Sequence, residues 1–246
     1  MDPSGDADPC ALGRHRCCPV CGLELGRSAP PDRTCPNQLC SDSGRYFSVA
    51  FPLGAYAGRA RGAIYAYKYR GERWLSGVFA DMLVRFLDRH QTWFEEFSLL
   101  VATPCYLGPG ARRSWDPLAS ILGELSGRCG PGWQTAAGLV RKVDETPAMT
   151  GMGAARRKEI ASGPLRRAIW VDRASLPEGA RVLVLDDVLT DGWTLNEVSR
   201  ALVAAGASEV AGLVLARTPL QPSLSPCFWG GWRLKSKTAM AEDLCC

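Results

Sequence analysis

The sequence predicts an α/β protein, a parallel sheet flanked by helices, with a small cysteine-rich element on its amino-terminal side. Three observations carry this. Several segments read as continuous aliphatic runs, the pattern of strands buried on both faces. These runs alternate with stretches of helical periodicity, the order that builds parallel sheets from strand–helix–strand units. Six of the 11 cysteines fall within residues 10–40, ahead of the aliphatic runs. The expected organisation is a flexible leader and cysteine element over residues 1–50, the sheet domain over 51–218 and a tail over 219–246.

Residues 17–40 read CCPVCGLELGRSAPPDRTCPNQLC. Cys18 and Cys21 form a C-x2-C knuckle, and Gly22 permits the tight turn that aims backbone amides at the sulfurs. Cys35 and Cys40 follow as a wider pair. Four thiolates in two pairs suit a tetrahedral zinc ion, and a closed shell of four sulfurs leaves no position for a substrate, so the expected site is structural. Cys17 is an alternative ligand to Cys18. Cys10 and His15 precede the knuckle in a segment without apolar periodicity and are set aside. So short a segment does not hold a fold by core burial alone, and the metal is expected to supply most of its folding free energy.

Beyond Phe51 the elements follow in order. A helix is expected over residues 55–69, with Gly71 at its carboxyl end. Trp74, Leu75, Val78, Phe79, Met82, Leu83, Phe86 and Leu87 recur at helical spacing and define a second helix ending near His90. SLLVATP, residues 98–104, reads as a buried strand stopped by proline, and Leu118, Ile121, Leu122 and Leu125 mark another helix. Short apolar runs at 138–140 and 168–171 are candidate strands. The order closes with a strand over 182–186, a helix from Thr194 to Ala205 stopped by Gly206, and a strand over 209–216.

Composition narrows the function class. With 46% hydrophobic residues the 246-residue chain is not a disordered one. Its 29 basic and 25 acidic residues are interspersed and leave a net charge of +4, which permits a nucleic-acid partner without implying one. No apolar stretch is long enough to span a bilayer, and the acidic start is unlike a signal peptide, so a cytoplasmic protein without a membrane partner is expected. Lys68, Arg70 and Arg73, interrupted by Glu72, are expected to be a solvated helix end. Trp229 and Trp232 are expected to pack the tail onto the core, and Cys245 and Cys246 to be exposed thiols.

The most informative stretch is RVLVLDDVLTDGWTL, residues 181–195. Ligands of parallel sheets sit at the carboxyl ends of strands, which puts Asp186, Asp187 and the following loop at the expected site. A strand ending in two acids also suggests a nucleotide hydrolase, but the chain has no G-x4-G-K-[ST] partner sequence. Gly151-Met-Gly153 follows no convincing strand, so a dinucleotide fingerprint is weak as well. The loop offers other chemistry. Thr190, Gly192 and Thr194 place hydroxyls and a permissive backbone at a helix amino end, where free amides and the dipole favour a phosphate. Two adjacent carboxylates accept hydrogen bonds from a vicinal diol. A phosphate with a ribose diol is a ribose 5-phosphate.

Val182 to Thr194 resembles the phosphoribosyl-pyrophosphate (PRPP) motif of type I phosphoribosyltransferases. The whole chain from about residue 18 to 217 is similar to the ComF family, through the four-Cys element, YKYRGE (67–72), ARRSWDP (111–117), RKVDETPAMTGMGAARRKEI (141–160) and the PRPP motif. The resemblance implies a type I phosphoribosyltransferase fold with a zinc-ribbon-like element in front. It also implies that Asp186 and Asp187, the catalytic pair, bind the ribose hydroxyls and, indirectly, Mg2+. Thr190, Gly192 and Thr194, with the amides of Asp191 and Trp193, would hold the 5-phosphate. Thr103, Arg113 and either Arg156 or Arg157 are the implied pyrophosphate contacts. The implied reaction is transfer of ribose 5-phosphate from PRPP to a nitrogenous acceptor, with no dedicated acid or base. The other readings are a binding module for DNA uptake with single-stranded DNA or a helicase as partner, and a PRPP sensor; the resemblance also allows a homodimer. Two residues depart from the family: Asp191 stands where Thr is common, and Trp193 where a small residue is usual. A carboxylate facing a phosphate is repulsive unless it meets solvent or a cation.

Overall fold

The structure, a computed structural model, describes residues 16–26, 35–129 and 133–219. Cys10, His15, Trp229, Trp232, Cys245, Cys246 and all but the first residue of the expected tail lie outside the described residues. In chain order the elements are β1 (Arg16–Cys17), β2 (Glu24–Gly26), β3 (Ala50–Pro52), α1 (Gly58–Tyr69), α2 (Leu75–Arg89), α3 (Gln91–Phe94), β4 (Leu99–Ala102) and α4 (Pro117–Ser126). There follow β5 (Gln134–Thr135), β6 (Val140–Lys142), α5 (Ala154–Ile160), α6 (Arg166–Ala168), β7 (Ile169–Val171), β8 (Arg181–Leu189), α7 (Trp193–Ala205) and β9 (Glu209–Arg217). None of the helices among the described residues is long and apolar enough to cross a membrane.

Five strands form one parallel sheet in the order β3-β9-β8-β4-β5. Side chains alternate across it. Leu183, Leu185, Leu213 and Leu215 point into a core shared with α1, α2 and α4, whereas Val182, Val184, Val210 and Val214 point into a second core with α7 and the cysteine element. Burial on both faces is why these strands read as unbroken aliphatic runs. From β4 the chain passes through α4 outward to β5; from β8 it passes through α7 the other way to β9. The connections therefore diverge between β4 and β8, and a crevice opens at the carboxyl ends of those two strands.

The runs at 138–140 and 168–171 do not join that sheet. They become β6 and β7, which pair antiparallel as a separate ribbon, Val140 opposite Val171 and Lys142 opposite Ile169. Between them α5, one π-helical turn (Ala161–Leu165) and α6 run continuously, with Pro164 inside the π turn. The widened turn absorbs a proline that a regular helix would not tolerate.

The helix after β8 lies very close to the sheet. A Cβ added at Gly212 of β9 would stand 2.5 Å from Leu195 Cδ2 and 3.3 Å from Ala50 Cβ. Leu195 is fully buried and has nowhere to retreat. Gly212→Val is expected to destabilise the fold by about 1–3 kcal/mol through overpacking, read as a lower urea midpoint; an unchanged midpoint would show that α7 packs more loosely.

Candidate functional site

Asp186, toward the carboxyl end of β8, is 8% exposed. Its Oδ1 accepts the Asp187 amide at 2.9 Å. Burial first, and then the neighbouring Asp187 carboxylate, push the Asp186 carboxyl up to about 7. Across the crevice the Thr103 amide donates to the Leu185 carbonyl at 2.9 Å, fixing the end of β4 against β8. Thr103 is itself 8% exposed, and its hydroxyl has no hydrogen-bond partner among the described residues. A buried hydroxyl without a partner beside a buried carboxyl is a costly arrangement, and it fits a surface completed by a polar ligand.

Asp187 is ion-paired with Lys68. The expectation that Lys68 is solvated is thereby corrected: its side chain is 18% exposed. Burial opposes its charge, but attraction to Asp187 outweighs that and holds the ammonium above its ordinary value. The position follows from its neighbour. The Tyr67 hydroxyl donates to the Pro117 carbonyl at 2.6 Å, and the Tyr67 ring packs edge-on against Phe79 and Trp115. With Tyr67 facing the core, Lys68 is turned to Asp187 at the carboxyl end of β8. Arg70 and Arg73 do not reach the crevice; they lie over the rings of Tyr65 and Trp115.

The turn after β4 is held by Asp116, which caps α4 by accepting the Leu118 and Ala119 amides and also accepts the Cys105 amide at 2.8 Å. Arg113, on the same excursion, lies over the Tyr69 ring at 4.9 Å, near Lys68. Burial and then Asp116 raise the Cys105 thiol, while Arg113, Lys142 and Lys68 all act against that rise. Three cations therefore converge on this turn. Lys142, half-buried on β6, is depressed by its burial. Lys142 and Lys68 lie in segments that carry the family resemblance, but no local pattern set either apart as a site residue, because their positions depend on long-range packing.

Beyond β8 the chain turns at Gly192, whose φ of +89° only glycine adopts without strain. The first-turn amides of α7 have no helical carbonyl behind them, and no side chain caps them at Gly192. Thr190 and Thr218 share a hydrogen bond between hydroxyls at 3.0 Å, and the Thr194 hydroxyl lies 3.9 Å from the Met149 sulfur. Asp191 does meet a cation: Arg157 Nε donates to its Oδ2 at 2.6 Å. Trp193 turns inward, 9% exposed, with Lys158 Nζ 5.1 Å above the ring. Of the two implied arginine alternatives, Arg157 reaches the loop. Arg156 stays exposed and pairs with Glu159 of its own helix.

Beneath the loop sits the cysteine element. The sulfurs of Cys18, Cys21, Cys35 and Cys40 all lie within 4.8 Å of one another, with Cys21 and Cys35 at 3.8 Å. A zinc ion at about 2.3 Å from each of four tetrahedral sulfurs spaces them at roughly 3.8 Å, so this cluster could hold such a metal. Cys17 is outside the group. Hydrogen bonding from Cys18, Cys35 and Cys40 lowers the Cys21 thiol, helped by the Arg217 charge, while contacts with Cys18 and Cys21 raise Cys35 and Cys40. Asn37, between the second pair, donates to the Asp191 carbonyl at 3.0 Å, and Leu39 and Phe47 approach Gly192 from below. Arg217, 6% exposed, donates to the Leu189 and Thr218 carbonyls at 2.9 Å each and reaches the Cys21 sulfur at 3.8 Å. Asn37 and Arg217 have no local sequence signal.

The chain matches the phosphoribosyl transferase domain family over residues 132–224. It is 28% identical over 207 residues to competence protein F of Haemophilus influenzae, covering 81% of this chain and 84% of that protein. A solved hypoxanthine phosphoribosyltransferase of Staphylococcus aureus is 13% identical at a TM-score of 0.35, covering 56% of this chain and 62% of that one. A Trypanosoma cruzi hypoxanthine phosphoribosyl transferase is 13% identical at 0.34, covering 62% and 69%.

The raised Asp186 carboxyl links stability to pH. A folded-state value near 7 against an ordinary 3.8 means its contribution is complete below 3.8 and is lost as pH rises through about 7. Asp186→Asn keeps an acceptor for the Asp187 amide and removes the buried charge. It is expected to raise the melting temperature at pH 8, by on the order of a few kcal/mol in stability, and to have little effect at pH 4. An equal effect at both pH values would mean the carboxyl is not held protonated by the fold.

Proposed function

We propose that this chain, whose phosphoribosyltransferase domain and converging cysteines are those of the ComF family, binds PRPP with Mg2+ and transfers ribose 5-phosphate to a nitrogenous acceptor. One observation carries the reading. Two adjacent acids, one of them buried, sit at the divergence of the sheet, between a buried hydroxyl without a partner among the described residues and the amino end of a 13-residue helix. In that crevice Asp186 and Asp187 accept the ribose hydroxyls, and the first-turn amides of α7 hold the 5-phosphate. Thr103, Arg113, Lys68 and Lys142 bear on the pyrophosphate. Asp187 already faces one cation, the Lys68 ammonium, so its environment fits a divalent ion carried in with the ligand. Mg2+ supplies neutralisation of the departing pyrophosphate.

The reaction then needs position and charge more than acid–base chemistry. The acceptor nitrogen forms a bond to ribose C1 as the bond from C1 to the pyrophosphate oxygen breaks. The bonding pair leaves with pyrophosphate, and the nitrogen proton passes to solvent. Cations aimed at the leaving oxygens lower the barrier because they are fixed before reaction.

A second reading draws on a different observation. Tyr65 and Tyr69 are 47% and 53% exposed, with ring centroids 5.2 Å apart and Arg70 and Arg113 over them. Exposed rings under guanidinium groups stack bases of single-stranded nucleic acid, which suits a non-catalytic module for DNA uptake, acting on single-stranded DNA or through a helicase. A PRPP sensor would use the first site without turnover.

The cysteine cluster is proposed to hold one structural zinc. Elemental analysis is expected to give one zinc per chain, lost with the native fold in Cys21→Ser/Cys35→Ser; a chain that is folded and metal-free would overturn this. Calorimetry on zinc-loaded protein with Mg2+ is expected to show saturable PRPP binding that disappears in Asp186→Asn/Asp187→Asn. Pyrophosphate release on adding nucleobases then identifies the acceptor and separates the enzyme from the sensor. Absence of binding at millimolar PRPP, with salt-sensitive binding of single-stranded DNA, would favour the uptake module.

A further inference from the structure

The two residues that depart from the family lie on either side of Gly192, and the same helix answers both. Arg157 of α5 pairs with Asp191 at 2.6 Å, and the next residue, Lys158, lies over Trp193 at 5.1 Å. Arg157 is held in place by a further hydrogen bond to the Met152 carbonyl. The Asn37 side chain fixes the backbone of Asp191 from the opposite side through its carbonyl. With side chains 20% and 21% exposed, the Arg157–Asp191 pair is screened less than a surface pair. The loop that would receive a phosphate thus carries its own anion, already matched to a cation.

We infer that Asp191 sets the affinity of this loop for phosphate by holding the Arg157 guanidinium that an incoming phosphate would otherwise engage. The carboxylate competes with an incoming phosphate for the Arg157 guanidinium, so a bare phosphate monoester binds weakly. Ligands that also engage the acids at 186–187 and the cations around the β4 turn are selected over it. This rests on the proposed PRPP reading, and it accounts for how a carboxylate is accommodated in a phosphate loop.

The probe is ribose 5-phosphate, titrated calorimetrically into wild type, Asp191→Asn, Arg157→Gln and the double variant, each checked for zinc content and melting temperature. Asp191→Asn is expected to tighten binding about tenfold, since it removes a repulsive charge and frees a guanidinium. Arg157→Gln is expected to weaken binding about tenfold, since it leaves the carboxylate unopposed. The double variant should return to near the wild-type value, and Arg157→Lys should restore part of the loss. A pair with only a structural role would make both single variants bind more weakly, and that result overturns the inference. Should Arg157→Gln fail to fold, the sign of the Asp191→Asn effect decides alone. Wild-type binding of PRPP without tighter ribose 5-phosphate binding by Asp191→Asn removes this inference and leaves the proposed function standing. No binding of either ligand by any variant removes both.

Discussion

The buried guanidinium of Arg217 joins the cysteine element to the loop that opens α7. At the end of β9 it donates to the Leu189 and Thr218 carbonyls, beside the loop that opens α7, and reaches the Cys21 sulfur on the other side. A cation at 6% exposure is tolerated only where negative charge and acceptors surround it. Four thiolates around one divalent metal would carry a net charge of about −2, and Arg217 offsets part of it. The cysteine cluster and the loop at 190–194 therefore depend on each other, with Asn37, Leu39 and Phe47 completing the contact. A metal there would stiffen the loop from beneath as well as holding a short segment folded.

At the mouth of the crevice the charges are arranged to be rearranged. Asp186 is held toward its neutral form by burial, Asp187 is occupied by Lys68, and Asp191 by Arg157. Two acids of the motif thus face a cation and the third is biased toward its neutral form, while the Thr103 hydroxyl has no partner among the described residues. Such a site gains most from a ligand carrying both anionic groups and hydroxyl donors, because only that ligand can take over the cations and satisfy the acids together.

Much of this was readable from residue order. The aliphatic runs gave β4, β8 and β9 because strands buried on two faces have no polar alternation to obscure them. Gly206 marked the end of α7, and the acid pair with its Thr-x-Gly-x-Thr loop marked the candidate site. The cysteine spacing pointed to the four sulfurs that converge. The rest was not local. β3 and β5 are too short to have a periodicity, and β6 and β7 look like sheet strands until their antiparallel partners are known. Lys68 reads as one charge in a solvated run, and only the burial of Tyr67 beside it turns the ammonium to Asp187. Asp191 and Trp193 looked like defects in a phosphate loop because their partners, Arg157 and Lys158, lie more than thirty residues earlier in the chain.

The most direct test of the account is amide hydrogen exchange on the zinc-loaded protein with and without Mg2+ and PRPP, resolved over residues 186–196. Slowed exchange is expected in the first turn of α7 and in the 35–47 segment packed beneath it, with little change in α2. Unchanged exchange at 190–194 under saturating PRPP would contradict it, since the ligand would then be bound somewhere other than this loop.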